Sequence, residues 1–234
     1  MTALNSAIDW QPVVVAAGAS ARFGRESKLL ASLCGKPVLQ WSFELMLSLQ
    51  SRHPLVVAVS DETREPARAI AAELGESERV LLVDGGRRRR DSVEAAVTVC
   101  SGEYVAIHDA ARPLATAALV RRVLAAAGTG IGTVPAEPVN DTLATIDAAS
   151  QITAHPDRER LRSVQTPQCV RRSAWLRASA TDAGDTTDDS SMIARLGLRC
   201  TVVEGEPENI KITHPNDLAM AHWIVRARGE ACSE

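Results

Sequence analysis

Residues 13–24 read Val-Val-Val-Ala-Ala-Gly-Ala-Ser-Ala-Arg-Phe-Gly, with Lys28 close behind. The β-branched start predicts a buried strand from Val13 to Ala17. Small residues follow at once. They let the backbone come close to a ligand, and their N–H groups can cradle an anion. Arg22 and Lys28 add two cations to the same loop. A triphosphate brings about four negative charges and a helix N-terminus offers about half a positive one, so a loop that handles a triphosphate needs such cations. The loop is neither a Walker loop nor a dinucleotide fingerprint. No Gly-Lys is followed by Ser or Thr, and the glycines are too far apart for G-x-G-x-x-G. Read by itself, a glycine turn with exposed basic residues fits equally well.

Outward from this loop, short apolar runs alternate with longer amphipathic ones. Further strands are predicted at Leu55–Ser60, Val80–Val83, Tyr104–His108, Ile131–Pro135 and Cys200–Glu204. Helices are predicted at Val38–Gln50, Glu62–Leu74, Ser92–Cys100, Ala115–Ala127, Arg172–Ala180, Asp188–Leu196 and Pro215–Arg228, with Asp61 capping the second. Such alternation implies βαβ units, hence an α/β fold with a mostly parallel sheet and helices on both faces. Residues 138–162 break the rhythm. Asp141–Ile146 and Gln151–Ala154 read as two short strands around a turn at Asp147–Ser150. A protruding β-arm that cannot bury itself suggests a second copy of the chain as partner; a mobile surface loop is the plainer reading.

The 234 residues, 45% hydrophobic and 24% charged, suit one globular domain. A formal net charge of -3 opposes a general nucleic-acid binder. No stretch has the length and apolarity of a membrane span, and MTALNSAIDWQP has no secretory pattern, so a cytoplasmic protein is expected. Five widely spaced cysteines (34, 100, 169, 200 and 232), without Cys-x-x-Cys, read as buried free thiols.

Other clusters recur at predicted strand ends. Residues 84–93, Asp-Gly-Gly-Arg-Arg-Arg-Arg-Asp-Ser-Val, offer a Gly-Gly turn and a hydroxyl at a helix start. Their four arginines read as a solvated face. Residues 108–113, His-Asp-Ala-Ala-Arg-Pro, supply a carboxylate for a metal or sugar hydroxyl and an arginine that can fork onto phosphate. His108 reads as structural rather than as a base. Asp188-Asp189 reads as a helix N-terminus rather than a metal pair. Residues 209–213, Asn-Ile-Lys-Ile-Thr, alternate like a strand with Lys211 opposite the isoleucines.

Together these strings resemble the 2-C-methyl-D-erythritol 4-phosphate cytidylyltransferase family. The set is AAGASARFG with Lys28, GGRRRRDSV, HDAARP, Asp141-Thr142, Gln165-Thr166-Pro167-Gln168, Thr187-Asp188-Asp189 and NIKIT with Pro215 and Asp217-Leu218, in family order over residues 12–228. The resemblance implies a Rossmann-like nucleotidyltransferase fold, a homodimer formed through the arm, and magnesium (Mg2+) carried mainly by the triphosphate with no metal-ligating side chain. It implies transfer of CMP from CTP to 2-C-methyl-D-erythritol 4-phosphate, giving CDP-methylerythritol and pyrophosphate in non-mevalonate isoprenoid biosynthesis, with Arg22, Lys28, Arg158 and Lys211 as catalytic cations. Arg158 would reach in from the partner's arm. Ala16, Ala17, Gly18, Gly86, Ser92, Asp109 and Ala110 would surround the nucleotide; Asp109, Arg112, Thr142 and Thr166 would face the second substrate. Val15 and Ser27-Lys28-Leu29 depart from the family's Pro and Pro-Lys-Gln. Ribitol 5-phosphate cytidylyltransferases share much of the pattern, but Ala110-Ala111 favours the erythritol enzyme. A non-catalytic nucleotide-binding protein is disfavoured by the retained Arg22, Lys28 and Lys211.

Overall fold

The valine run lies in β1 (Trp10–Ala16), which is flanked by a parallel strand on each edge. A computed structural model describes residues 8–18, 23, 27–128, 130–181, 184, 186, 188–229 and 232. After β1 come β2 (Ser32–Leu33), β3 (Lys36–Pro37), α1 (Val38–Ser48), β4 (Leu55–Val59), α2 (Asp61–Glu73), β5 (Val80–Asp84), α3 (Arg89–Val99) and β6 (Tyr104–Asp109). The chain continues with α4 (Ala117–Ala127), β7 (Gly132–Pro138), β8 (Thr145–Ile146), β9 (Ile152–Ala154), β10 (Arg162–Val164) and β11 (Gln168–Arg171). It closes with α5 (Arg172–Thr181), α6 (Asp189–Ala194), β12 (Thr201–Glu204) and α7 (Pro215–Ala227).

The main sheet runs β10-β7-β11-β6-β1-β4-β5, and β12 pairs in parallel with β7. β5, β4, β1 and β6 are mutually parallel, while β11 enters antiparallel between β6 and β7. Strands buried on both faces need apolar residues on both. Accordingly Val13 joins one core cluster and Val14 and Ala16 the other. Helices α1, α2, α4 and α7 pack on one face, and α3, α5 and α6 on the other. This is the expected α/β architecture.

All the predicted strands and helices of the sheet are present, with ends shifted by a few residues. The cap of α2 is Ser60 rather than Asp61, because the Ser60 N–H donates to Thr63 Oγ1 at 2.9 Å. β11 was not foreseen; it starts at the last residue of the Gln165–Gln168 motif and holds only two apolar residues between Gln168 and Arg171. Residues 209–213, read as strand-like, belong to no helix or strand. Of the two isoleucines Ile212 is fully buried and Ile210 only partly, and the Ile212 N–H donates to the Ala111 carbonyl at 2.8 Å.

The cysteine expectation is corrected in part. Cys34 and Cys232 form a disulfide across 198 residues of sequence. Cys34 lies in the β2–β3 turn, and α7, whose last turns lead towards Cys232, packs against β2. Spacing along the chain cannot reveal such proximity. Cys100, Cys169 and Cys200 are free thiols, the first two buried.

The arm leaves the sheet where Pro138 of β7 pairs with Arg162 of β10. β8 and β9 pair only with each other. Asp147 Oδ1 closes their turn by accepting from the Ala149 and Gln151 N–H groups, each at 2.9 Å. No described helix is long and apolar enough to cross a membrane.

Candidate active site

The carboxyl ends of parallel strands converge on one cleft, as the topology of such sheets favours. It holds about 550 Å³ of non-atom space, open to solvent. Ala17 and Gly18 follow β1, Gly86 follows β5, and Asp109 ends β6. Lys28 and Lys211 line the same cleft. The wall is tightly built at the Gly-Gly turn. A Cβ on Gly85 would stand 2.1 Å from the Ala17 Cβ, and one on Gly86 2.3 Å from the Asp91 Cβ. Ser92 Oγ accepts from the Gly86 N–H at 3.1 Å, so this hydroxyl holds the turn that shapes the cleft.

Asp109 is the electrostatic centre. Its Oδ1 accepts from Arg89 Nε at 2.9 Å and its Oδ2 from Lys211 Nζ at 2.7 Å. Burial pushes the Asp109 carboxyl up, but Arg89 and Lys211 outweigh it and hold the group well below the usual carboxylate range. Arg89 also donates to Asp189 Oδ2 at 2.8 Å. Burial weakens the charge on Arg89, and the adjacent Asp189 and Asp109 more than restore it. A partly buried cation between two carboxylates thus fixes Asp109, which in turn holds Lys211.

Behind Asp109 runs a neutral relay. Its N–H donates to Thr166 Oγ1 at 3.0 Å, and that hydroxyl lies 3.1 Å from His108 Nδ1. His108 Nε2 lies 3.1 Å from the Arg112 carbonyl, which can only accept. The proton is therefore on Nε2, and Nδ1 accepts from Thr166. Burial pushes His108 down to about 4. It is a neutral structural imidazole, as its place at a strand end suggested.

A second cleft adjoins the first, lined by Arg112, Glu137, Asn140, Ser163, Asn209 and Lys211 among others. Lys211 lines both. Arg112 donates to the Asn209 carbonyl at 2.7 Å and the Val164 carbonyl at 3.4 Å. Burial lowers its pKa.

The family model for 2-C-methyl-D-erythritol 4-phosphate cytidylyltransferase matches residues 11–227. The chain belongs to this family. A relative of that name from Prochlorococcus marinus is 36% identical, covering 92% of this chain and 98% of the relative. One from Rhodococcus jostii is 38% identical, covering 91% and 93%. The crystal structure of the Thermus thermophilus cytidylyltransferase superposes with a TM-score of 0.75 at 29% identity, covering 92% of this chain and 98% of that one.

In this cytidylyltransferase chain the cleft gathers Lys28, Ala17, Gly18, Gly86, Ser92, Asp109 and Lys211 of the expected set. Arg22 lies outside the described residues. Ala16 and Ala110 are fully buried just beneath, and Ala111 rather than Ala110 reaches the cleft. Thr166 is buried and turned into the relay. Thr142 and Arg158 sit on the arm and line neither cleft; Arg158 donates to the Asn140 carbonyl at 2.9 Å.

The arginine run is a solvated face only in its first half: Arg87 and Arg88 are exposed, but Arg89 and Arg90 turn inward. Arg90 is 4% exposed and donates to the carbonyls of Gly184 and Ser179. Sequence reading missed Arg89, Arg90, Gly85 and the partner role of Asp189. The available signal was Asp91 and Ser92 straight after the run. They place Arg89 and Arg90 in the first turn of a helix that packs on the sheet. Asp188 does cap a helix, accepting from the Ser191 N–H at 2.8 Å.

Proposed function

We propose that this chain transfers CMP from CTP to 2-C-methyl-D-erythritol 4-phosphate, giving the CDP-alcohol and pyrophosphate. The observation that carries the reading is Lys211, which lines both the small-residue cleft at the strand ends and the neighbouring cleft beside Arg112. A phosphate oxygen of the second substrate attacks the α-phosphorus of CTP, and the bond to the bridging oxygen breaks. That oxygen is already an anionic nucleophile, so no general base is required, and neutral His108 is consistent with this. Two anions must meet in line, which calls for fixed cations and alignment.

Ala17, Gly18 and Gly86 let the nucleotide approach the backbone. Lys28, with Arg22, offsets charge developing on the triphosphate. Lys211, oriented by Asp109, aligns the attacking phosphate. Arg112 and Thr142 recognise the sugar-alcohol phosphate, and Thr166 supports Asp109 from behind. Arg158 completes the site from the arm of a second copy, making the enzyme a homodimer. Mg2+, if carried on the triphosphate, would neutralise part of its charge. The residues fit that mode, since both oxygens of Asp109, the carboxylate lining the first cleft, are already held by Arg89 and Lys211.

The test is pyrophosphate release from CTP and Mg2+ with methylerythritol phosphate and ribitol 5-phosphate offered separately. Turnover with the first alone is expected. Turnover with ribitol phosphate alone, or with neither, overturns the reading.

A further inference from the structure

Outside the cleft, α7 brings a histidine against two cysteines. His222 Nδ1 lies 3.4 Å from Cys34 Sγ and 3.9 Å from Cys232 Sγ. The three ligand atoms all fall within 4.8 Å of one another. His222 Nε2 sits 3.1 Å from the Ser32 carbonyl, which can only accept. That bond puts the ring proton on Nε2 and leaves the Nδ1 lone pair aimed at the sulfurs. Disulfide sulfurs carry no hydrogen, so in the oxidised state they offer Nδ1 no donor. An imidazole whose far nitrogen is anchored on a backbone carbonyl, with its near nitrogen facing two sulfurs, is the arrangement that metal-binding histidines use.

The histidine edges agree. Tetrahedral zinc with Zn–S about 2.3 Å and Zn–N about 2.0 Å has S···N edges of about 3.5 Å, and the two observed separations straddle that value. The two sulfurs are bonded here, and their separation has to open to about 3.8 Å on reduction for both to bind one zinc. Cys34 has a φ of 52° in the two-residue turn between β2 and β3, followed by Gly35 at 81°. Asn is the usual residue at such a left-handed position, so turn geometry alone does not account for a cysteine there.

We propose that reduced Cys34 and Cys232, with His222 Nδ1, form a zinc site with water as fourth ligand, and that the disulfide is its metal-free oxidised form. Binding releases two thiol protons and leaves two Zn–S bonds. In the opposite direction a low-molecular-weight disulfide accepts two electrons from the two thiolates, takes two protons from solvent and becomes two thiols. The Cys34–Cys232 bond forms, and Zn²⁺ departs. Either state ties the C-terminal segment to the turn six residues beyond Lys28.

The probe is Co²⁺, then Zn²⁺, added to the reduced full-length chain. One equivalent of Co²⁺ should give a thiolate-to-cobalt charge-transfer band with tetrahedral visible bands, which Zn²⁺ abolishes. Cys34→Ser and Cys232→Ser should each lose the two-thiolate spectrum, while Cys200→Ser keeps it. His222→Ala should weaken binding about tenfold or more. Prior oxidation with glutathione disulfide should prevent the band. Absence of the band in the folded, reduced chain overturns the proposal, as does a band that persists unchanged in both serine variants. Alkylation of the wild-type chain guards against misfolded variants. Zn²⁺ should protect Cys34 and Cys232 from iodoacetamide, as mapped by mass spectrometry, and protection confined to other cysteines contradicts the assignment.

Discussion

Asp109 is 8% exposed and both its oxygens are held by cations, whereas Ile146 and Ile152 on the arm are 62% and 61% exposed. The first region is finished within one chain. Arg89 reaches back from α3 to Asp109 and across to Asp189, so three distant segments fix one carboxylate. The second region is a two-stranded hairpin with apolar side chains in solvent, and such hairpins are marginal by themselves. The contrast separates two kinds of region: one positions charge rigidly within the chain, and the other leaves apolar side chains exposed, as the proposed pairing through the arm requires. A site assembled from both would be active only in the pair.

The largest effect should come from Lys211→Ala, which removes a cation shared by both clefts. Turnover should fall about 10²–10³-fold, the scale seen when one preorganised charge-stabilising donor is lost, with the melting temperature little changed. Steady-state kinetics with thermal unfolding checks this, and near-normal turnover would remove Lys211 from the mechanism. Asp109→Ala strikes the rigid region itself. It strips Arg89 of one of two carboxylates and should cost about 3–5 kcal/mol in urea unfolding, as breaking a buried pair does. An arm substitution such as Thr142→Ala should leave that stability unchanged.

A smaller effect concerns pH. His108 is held down to about 4, so the unfolded chain binds the extra proton between about 6.5 and 4. Stability is full above that window and declines as pH falls through it, by on the order of 3 kcal/mol. Asp109 is depressed as well, but from the lower carboxylate range, so its contribution is lost only at still lower pH. Urea midpoints from pH 7 to 4 should show the decline, and His108→Asn should flatten it.

The central sheet was legible because its valine-rich runs are local signals, and burial on both faces leaves them nothing polar to hide behind. β11 escaped because Gln168 and Arg171 frame only two apolar residues, and its position between β6 and β7 is set by distant partners. At the site, Lys28, Gly86 and Asp109 could be found from small residues and charges at strand ends. Arg89 could not be assigned a role, because its partner Asp189 lies 100 residues away. The Cys34–Cys232 link was hidden for the same reason.

The account's central claim, a rigid half-site completed by another copy's arm, is tested by mixing two inactive variants, Lys211→Ala and Arg158→Ala. In the mixed dimer one site keeps both wild-type residues, so an equimolar exchanged mixture should recover about a quarter of wild-type activity. Activity no higher than that of the separate variants, with subunit exchange verified by native mass spectrometry, would contradict it.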